Sequence, residues 1–145
     1  MKKWLFQLLV LSSFSVMSAE EEVLFTYLGT EEGYEAYYAC SYAQEQAELY
    51  LKGLGAKDIK LECSGGLRGP YDWHDPLKLR ASFNMTPVEG EVIFKSEHLF
   101  TACAMNTRLI KKIIEVVPGI TLLEKRDKCG HPRNPYYFKL KVVRN

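Results

Sequence analysis

The chain has 145 residues, of which 47% are hydrophobic and 26% charged, and its formal net charge is +1. This length is sufficient for one domain with a hydrophobic core of its own. A protein that holds nucleic acid by releasing counterions is usually strongly basic, so the near-neutral charge argues against a nucleic-acid partner.

The start of the chain has the layout of a secretory signal peptide. Two lysines precede an apolar run at residues 4–11, and small and polar residues follow that run. We expect cleavage after Ser18 or Ala19, which removes residues 1–19 and leaves a single domain at residues 20–145. Loss of the two lysines leaves 17 basic and 18 acidic residues, a net charge of −1.

A membrane anchor is the alternative interpretation of this segment. The apolar run is too short to cross about 30 Å of hydrocarbon, and no later stretch of the sequence is longer. We therefore expect a periplasmic or secreted protein with no membrane span after signal cleavage.

The first half of the mature chain predicts a strand, a helix and two further strands. A β-branched and aromatic run indicates a strand at residues 23–28. Apolar residues spaced by three and four then predict a helix at residues 33–54, with Gly33 as its N-cap and a glycine pair as its stop. Alternating apolar and polar residues indicate half-buried strands at residues 58–63 and 77–84.

The second half repeats this order of elements. The sequence predicts a strand at residues 91–95, a helix at residues 96–117 capped by Ser96, and strands at residues 120–127 and 136–144. The plan is therefore a βαββ unit that occurs twice.

The duplication is clearest in the two helices. The apolar face of the first consists of Ala36, Ala39, Cys40, Ala43, Ala47, Tyr50, Leu51 and Leu54. Adding 63 to each number gives Leu99, Ala102, Cys103, Asn106, Ile110, Ile113, Ile114 and Val117. Only Asn106 breaks the apolar character. We interpret residues 23–85 as repeat one and residues 91–145 as repeat two.

The fold class that follows is α+β. Each repeat has one helix for three strands, so the two helices are expected to pack on one face of a mostly antiparallel sheet. The sequence leaves open whether the halves share that sheet or pack as a pseudo-symmetric pair.

Four cysteines remain in the mature chain, and an even number in an exported protein suggests disulfides. Four cysteines allow three pairings, and the duplication selects the one with a bridge inside each repeat, Cys40 with Cys63 and Cys103 with Cys129. The alternative is a zinc site, which the absence of any C-x-x-C spacing disfavours.

Repeat one has an insertion between its last two strands. Thirteen positions separate Cys63 from Pro76, whereas six separate Cys129 from Pro135 in repeat two. Aromatic residues beside acids and a histidine on a loop are typical of a recognition site. The candidate binding residues are Arg68, Tyr71, Asp72, Trp73, His74 and Asp75. Alternatively, Trp73 packs back onto the sheet edge and the acids only solvate the loop.

Signals of catalysis are weak in this sequence. His74 between Asp72 and Asp75 has the chemistry of a metal ligand or a general base, but no second cluster completes such a site. There is no G-x-S-x-G, H-E-x-x-H or phosphate-binding glycine loop. We therefore predict no catalytic residues, metal or cofactor.

Basic residues on the polar faces of the strands offer a second candidate surface. If the helices cover one face of the sheet, these residues gather on the other face, where they could bind an anionic ligand or polymer. They are Lys60, Lys78, Arg80, Lys139 and Lys141. The alternative is the solvated face of an ordinary amphipathic sheet.

The sequence thus predicts an exported, disulfide-stabilised binding module. Its expected partner is another protein, recognised in the manner of an inhibitor or immunity protein by the loop at residues 68–75 and the open sheet face. Binding of an anionic ligand is the second hypothesis and an enzyme of unknown type is the third.

Overall fold

The computed structural model describes residues 20–31, 34–35, 37–69, 75–86, 88–96, 102–129 and 136–143. The predicted signal peptide lies outside these residues. In chain order the elements are β1 (Glu20–Tyr27), β2 (Thr30–Glu31), β3 (Tyr34–Glu35), α1 (Cys40–Gly53), β4 (Ala56–Ser64), β5 (Leu77–Met85), β6 (Glu89–Lys95), α2 (Cys103–Val116), β7 (Ile120–Arg126) and β8 (Tyr137–Val143). None of the helices in the described ranges has the length and hydropathy needed to cross a membrane.

The strands form two similar three-stranded antiparallel sheets. Sheet 1 has the order β1-β5-β4 and sheet 2 has the order β6-β8-β7, so the last strand of each repeat is central in both. Each sheet also has a one-residue bulge in the strand that follows the helix, near Asp58 in β4 and near Leu123 in β7. The predicted α+β fold with a duplicated βαββ plan is confirmed, and the halves form separate sheets.

Both helices begin later than the sequence predicts. They start at Cys40 and Cys103, again 63 positions apart, and each is 14 residues long. Thr30–Glu31 and Tyr34–Glu35 pair as a short hairpin where the first helix was expected to begin. In repeat two the Ser96 N–H donates to the Tyr136 carbonyl, which extends the sheet pairing beyond β6. The predicted caps, Gly33 and Ser96, are therefore wrong, because the N-caps of the two helices are Ala39 and Ala102.

One hydrophobic core joins the two repeats. Helix α1 packs against β4 and β5, helix α2 packs against β1, and the helices contact each other, so both lie against sheet 1. Ala43 and Ala47 are fully buried on the narrow face of α1. Sheet 2 contributes Phe94, whose ring centroid lies 4.9 Å from that of Tyr50, together with Phe138. The two repeats therefore fold as one packing unit.

The disulfides pair as the sequence predicts. Cys40 bonds to Cys63, with 5.7 Å between their Cα atoms, and Cys103 bonds to Cys129, with 5.6 Å. Each bridge ties the first residue of a helix to the end of the strand that follows, or to the segment just beyond it. On the loop-entropy argument each bridge stabilises the fold by about 3 kcal/mol.

Candidate binding site

The inserted loop of repeat one has a firmly held base. Gly65 and Gly66 have φ values of +73° and +71°, and a Cβ at Gly65 would lie 2.1 Å from the Pro76 carbonyl oxygen. The Gly66 N–H donates to the carbonyl of Asp75, and the Leu67 N–H donates to the carbonyl of Tyr38, both at 3.0 Å. The glycine pair thus closes the loop and ties it to the segment before α1.

Two of the predicted loop residues are described, and both are exposed. They are Arg68 and Asp75, which lie on the two arms of the loop above its closed base. The other four, Tyr71, Asp72, Trp73 and His74, lie outside the described residues.

Large apolar side chains are exposed to water around the loop base. Leu67 is 38% exposed and Leu28 is 66% exposed. Leu28 directly follows Tyr27, which pairs with Leu77, so it lies at the sheet end where the loop returns to β5. Leu24, 58% exposed, stands on the outer face of the same edge strand, β1. We call Leu24, Leu28, Leu67, Arg68 and Asp75 the loop surface.

Beneath the loop surface lies a row of tyrosines. Tyr27 and Tyr38 are 5.6 Å apart between ring centroids, and Tyr38 and Tyr42 are 5.8 Å apart. The guanidinium of Arg108, from α2, lies 5.5 Å from the centroid of the Tyr27 ring. Since the Leu67 N–H bonds to Tyr38, these packed rings support the arm of the loop that carries Arg68.

The outer face of sheet 1 contains a depression of about 410 Å³ next to the loop. Its side walls are the two edge strands, with Leu24 and Thr26 from β1 facing Glu62 and Ser64 from β4. The cations Lys78 and Arg80 from the central strand lie between them. This depression and the loop surface are continuous, because β4 and β5 lead directly into the two ends of the loop.

The basic strand residues do not form one group. Lys60, Lys78 and Arg80 lie on the outer face of sheet 1, whereas Lys139 and Lys141 lie on sheet 2. The sequence predicted that they gather on one sheet face, and the separation of the repeats into two sheets divides them.

Acids neutralise two of these cations. The Arg80 guanidinium donates to the Glu22 carboxylate at 2.8 Å, and this hydrogen bond, with the Glu22 charge, raises the pKa of Arg80. The Lys139 ammonium lies 3.0 Å from the Glu91 carboxylate, and this pair likewise raises the pKa of Lys139. The sheets therefore present both positive and negative charges, which disfavours a ligand that requires a strongly positive surface.

A buried polar cluster joins the two helices, and Asn106 is its centre. Asn106 is fully buried and accepts a hydrogen bond from the Tyr50 hydroxyl at 2.6 Å. Its amide donates to the Tyr42 hydroxyl at 3.0 Å and to the Ala102 carbonyl at 2.9 Å. The hydroxyls of Tyr50 and Tyr136 are 2.8 Å apart. Because the single proton of Tyr50 goes to Asn106, Tyr136 is the donor in that contact.

This cluster explains the one polar position on the helix face. Burial raises the pKa of Tyr50 far above its usual value, and the nearby phenol of Tyr136 adds to the shift. The sequence marked Asn106 only as a break in an apolar pattern. Tyr42, Tyr50 and Tyr136 come from both repeats, so their meeting depends on how the repeats pack and has no local sequence signal.

The described residues include no group of three or more histidines, cysteines or acids placed to hold a metal ion. Comparison of the chain with protein families, curated proteins and solved structures finds no significant match. The fold therefore defines the class of protein, a small α+β domain with a disulfide in each repeat, and the candidate site has to be interpreted from its own chemistry.

Proposed function

We propose that this chain is an exported binding module that recognises another protein through the loop surface and the neighbouring outer face of sheet 1. The observation that carries the proposal is the exposure of Leu28 and Leu67 beside the hydrogen-bonded base of the loop, with the exposed Leu24 further along β1. Exposed apolar side chains beside a loop of a small domain are typical of a surface that becomes buried on binding.

The composition of the loop supports the same function. Tyr71 and Trp73 are residue types that dominate the energy of protein interfaces, and Arg68, Asp72, His74 and Asp75 would supply charged contacts around them. The fixed loop base limits the entropy that is lost on binding. A small disulfide-stabilised module of this kind suits an inhibitor-like or immunity-like role, in which a rigid surface blocks a partner.

Export is part of the proposal. Two disulfides are typical of the periplasm or the extracellular space, and they agree with the predicted signal peptide at residues 1–19. We propose binding and no catalytic role. An anionic ligand is the weaker alternative because acids neutralise Arg80 and Lys139.

The test is affinity capture from the compartment into which the protein is exported. The disulfide-bonded protein serves as bait beside a double variant, Leu28→Asp with Leu67→Asp, which places charge on the loop surface. Leu49→Asp is the matched control, since Leu49 is equally large, 58% exposed and located on α1. Circular dichroism and melting curves confirm that all three proteins are folded.

We expect a protein that the wild type and the Leu49→Asp control both retain and that the double variant loses. Capture that is the same for all three baits would contradict the proposed surface. Elution of the partner by moderate salt with no effect of the leucine substitutions would favour the anionic-ligand alternative.

A further inference from the structure

Lys78 differs from the other cations on the central strands in its cross-strand neighbours. Across the sheet, Arg80 faces Glu62, Lys139 faces Glu124 and Lys141 faces Glu91. Lys78 instead faces Thr26 on β1 and Ser64 on β4, two hydroxyl side chains. Among the described residues, no acid forms an ion pair with Lys78.

The row Thr26–Lys78–Ser64 lines the depression on the outer face of sheet 1. In the next row along the sheet, Arg80 pairs with Glu22, whereas Glu62, which also lines the depression, forms no ion pair among the described residues. The cation of the depression that has no ion pair is therefore Lys78. An ammonium between two hydroxyls offers donors from three side chains to one anionic group.

The wall beside this row is apolar. Leu24 projects from β1 with 58% of its side chain exposed, two residues before Thr26 on the same face of the strand. A group that fills the depression would thus meet a cation and two hydroxyls at one point and an isobutyl side chain about 7 Å away, the spacing of alternate residues in a strand.

We propose that Lys78, Thr26 and Ser64 form a subsite for an acidic side chain of the partner protein, with an apolar side chain of the same partner against Leu24. This inference rests on the proposed function for the identity of the partner. The complementarity is local: Lys78 offers an ammonium between two hydroxyl donors, and Leu24 offers an apolar contact beside it. A carboxylate at this point would also lie at the foot of the loop surface.

The experiment is a titration of the isotope-labelled, disulfide-bonded protein at low ionic strength, followed by backbone amide shifts. The probe is N-acetyl-leucyl-glycyl-glutamate amide, whose leucine and glutamate are alternate residues, and N-acetyl-leucyl-glycyl-glutamine amide is its neutral counterpart. The variant Lys78→Met keeps the aliphatic stem and removes the charge. Lys95→Met is the control, because Lys95 is an exposed lysine on β6 of the other sheet.

We expect saturable shifts at Thr26, Ser64 and Lys78 with the glutamate probe. The glutamine probe, and the Lys78→Met variant with the glutamate probe, should bind about two- to fivefold more weakly, as for loss of an exposed ion pair. Lys95→Met should bind as the wild type does.

Three results would overturn the subsite. They are equal binding of the two probes, unchanged binding by Lys78→Met, and no saturable shift at these residues. Sodium acetate that binds as tightly as the glutamate probe would overturn the assignment to a protein side chain, because Leu24 would then contribute nothing. If a partner is captured but the glutamate probe does not bind, the subsite alone is wrong. If the glutamate probe binds but no partner is captured, the proposed function alone is wrong.

Discussion

Replacement of Asn106 by leucine tests whether the buried polar cluster holds the two repeats together. Leucine has a similar volume, so the main change is the loss of the acceptor for Tyr50 and of the donor to Tyr42. The Ala102 carbonyl keeps its bond from the Asn106 backbone N–H, so it stays satisfied. A buried group left without its partner costs about 1–3 kcal/mol.

We therefore expect Asn106→Leu to lower the free energy of unfolding by about 2–3 kcal/mol. For a domain of this size that corresponds to a fall in melting temperature of roughly 10 °C. The assay is urea and thermal unfolding of the disulfide-bonded protein followed by circular dichroism. Tyr50→Phe and the double variant complete a double-mutant cycle.

The cycle separates a cluster from a simple packing effect. Because Tyr50 and Asn106 share one hydrogen bond at 2.6 Å, the double variant should be less destabilised than the sum of the single variants by about 1 kcal/mol. An Asn106→Leu protein as stable as the wild type, or strictly additive single effects, would show that the polar cluster does not hold the two repeats together.

Three further predictions concern the helix face, an ion pair and the loop. Ala43→Glu puts a charge at a fully buried position and should unfold the domain or destabilise it by at least about 3 kcal/mol, whereas Leu49→Glu should change the melting temperature little. Lys111 lowers the pKa of Asp127, so the stability from this pair is present above the ordinary aspartate pKa and lost as pH falls. The stability difference between wild type and Asp127→Asn should therefore vanish in acid urea titrations, and a constant difference would contradict this. Trp73→Ala should leave the melting temperature nearly unchanged and weaken partner binding at least about tenfold; a large loss of stability with binding intact would place the tryptophan in the core.

Much of the fold follows from local patterns in the sequence. The alternation of apolar and polar residues at 77–84 is sufficient to predict β5, and its apolar residues are all buried. The disulfide pairing follows from the 63-residue offset between Cys40 and Cys103, because a bridge inside each repeat is the pairing that respects the duplication. These features depend on residues close in sequence or on the repeat itself.

The remaining features depend on packing between distant segments. The helix starts were predicted too early because Tyr34–Glu35 forms a hairpin strand, and Ala39, the N-cap of α1, makes no side-chain capping bond. The sequence could not predict that the repeats form separate sheets, because strand propensity does not determine which strands pair with each other. At the candidate site, the sequence identified the loop. It did not predict a role for Leu28 or Lys78, because their position beside the loop depends on the register between β1 and β5.

Hydrogen exchange on the captured complex, compared with the free protein, tests most directly whether the partner binds at the loop surface. Binding through the loop surface predicts slower exchange in residues 65–69, in residues 75–78 and at the end of β1, with little change in β6, β7 and β8. Protection confined to sheet 2, with the loop and β1 exchanging as in the free protein, would show that the partner does not bind at the loop surface.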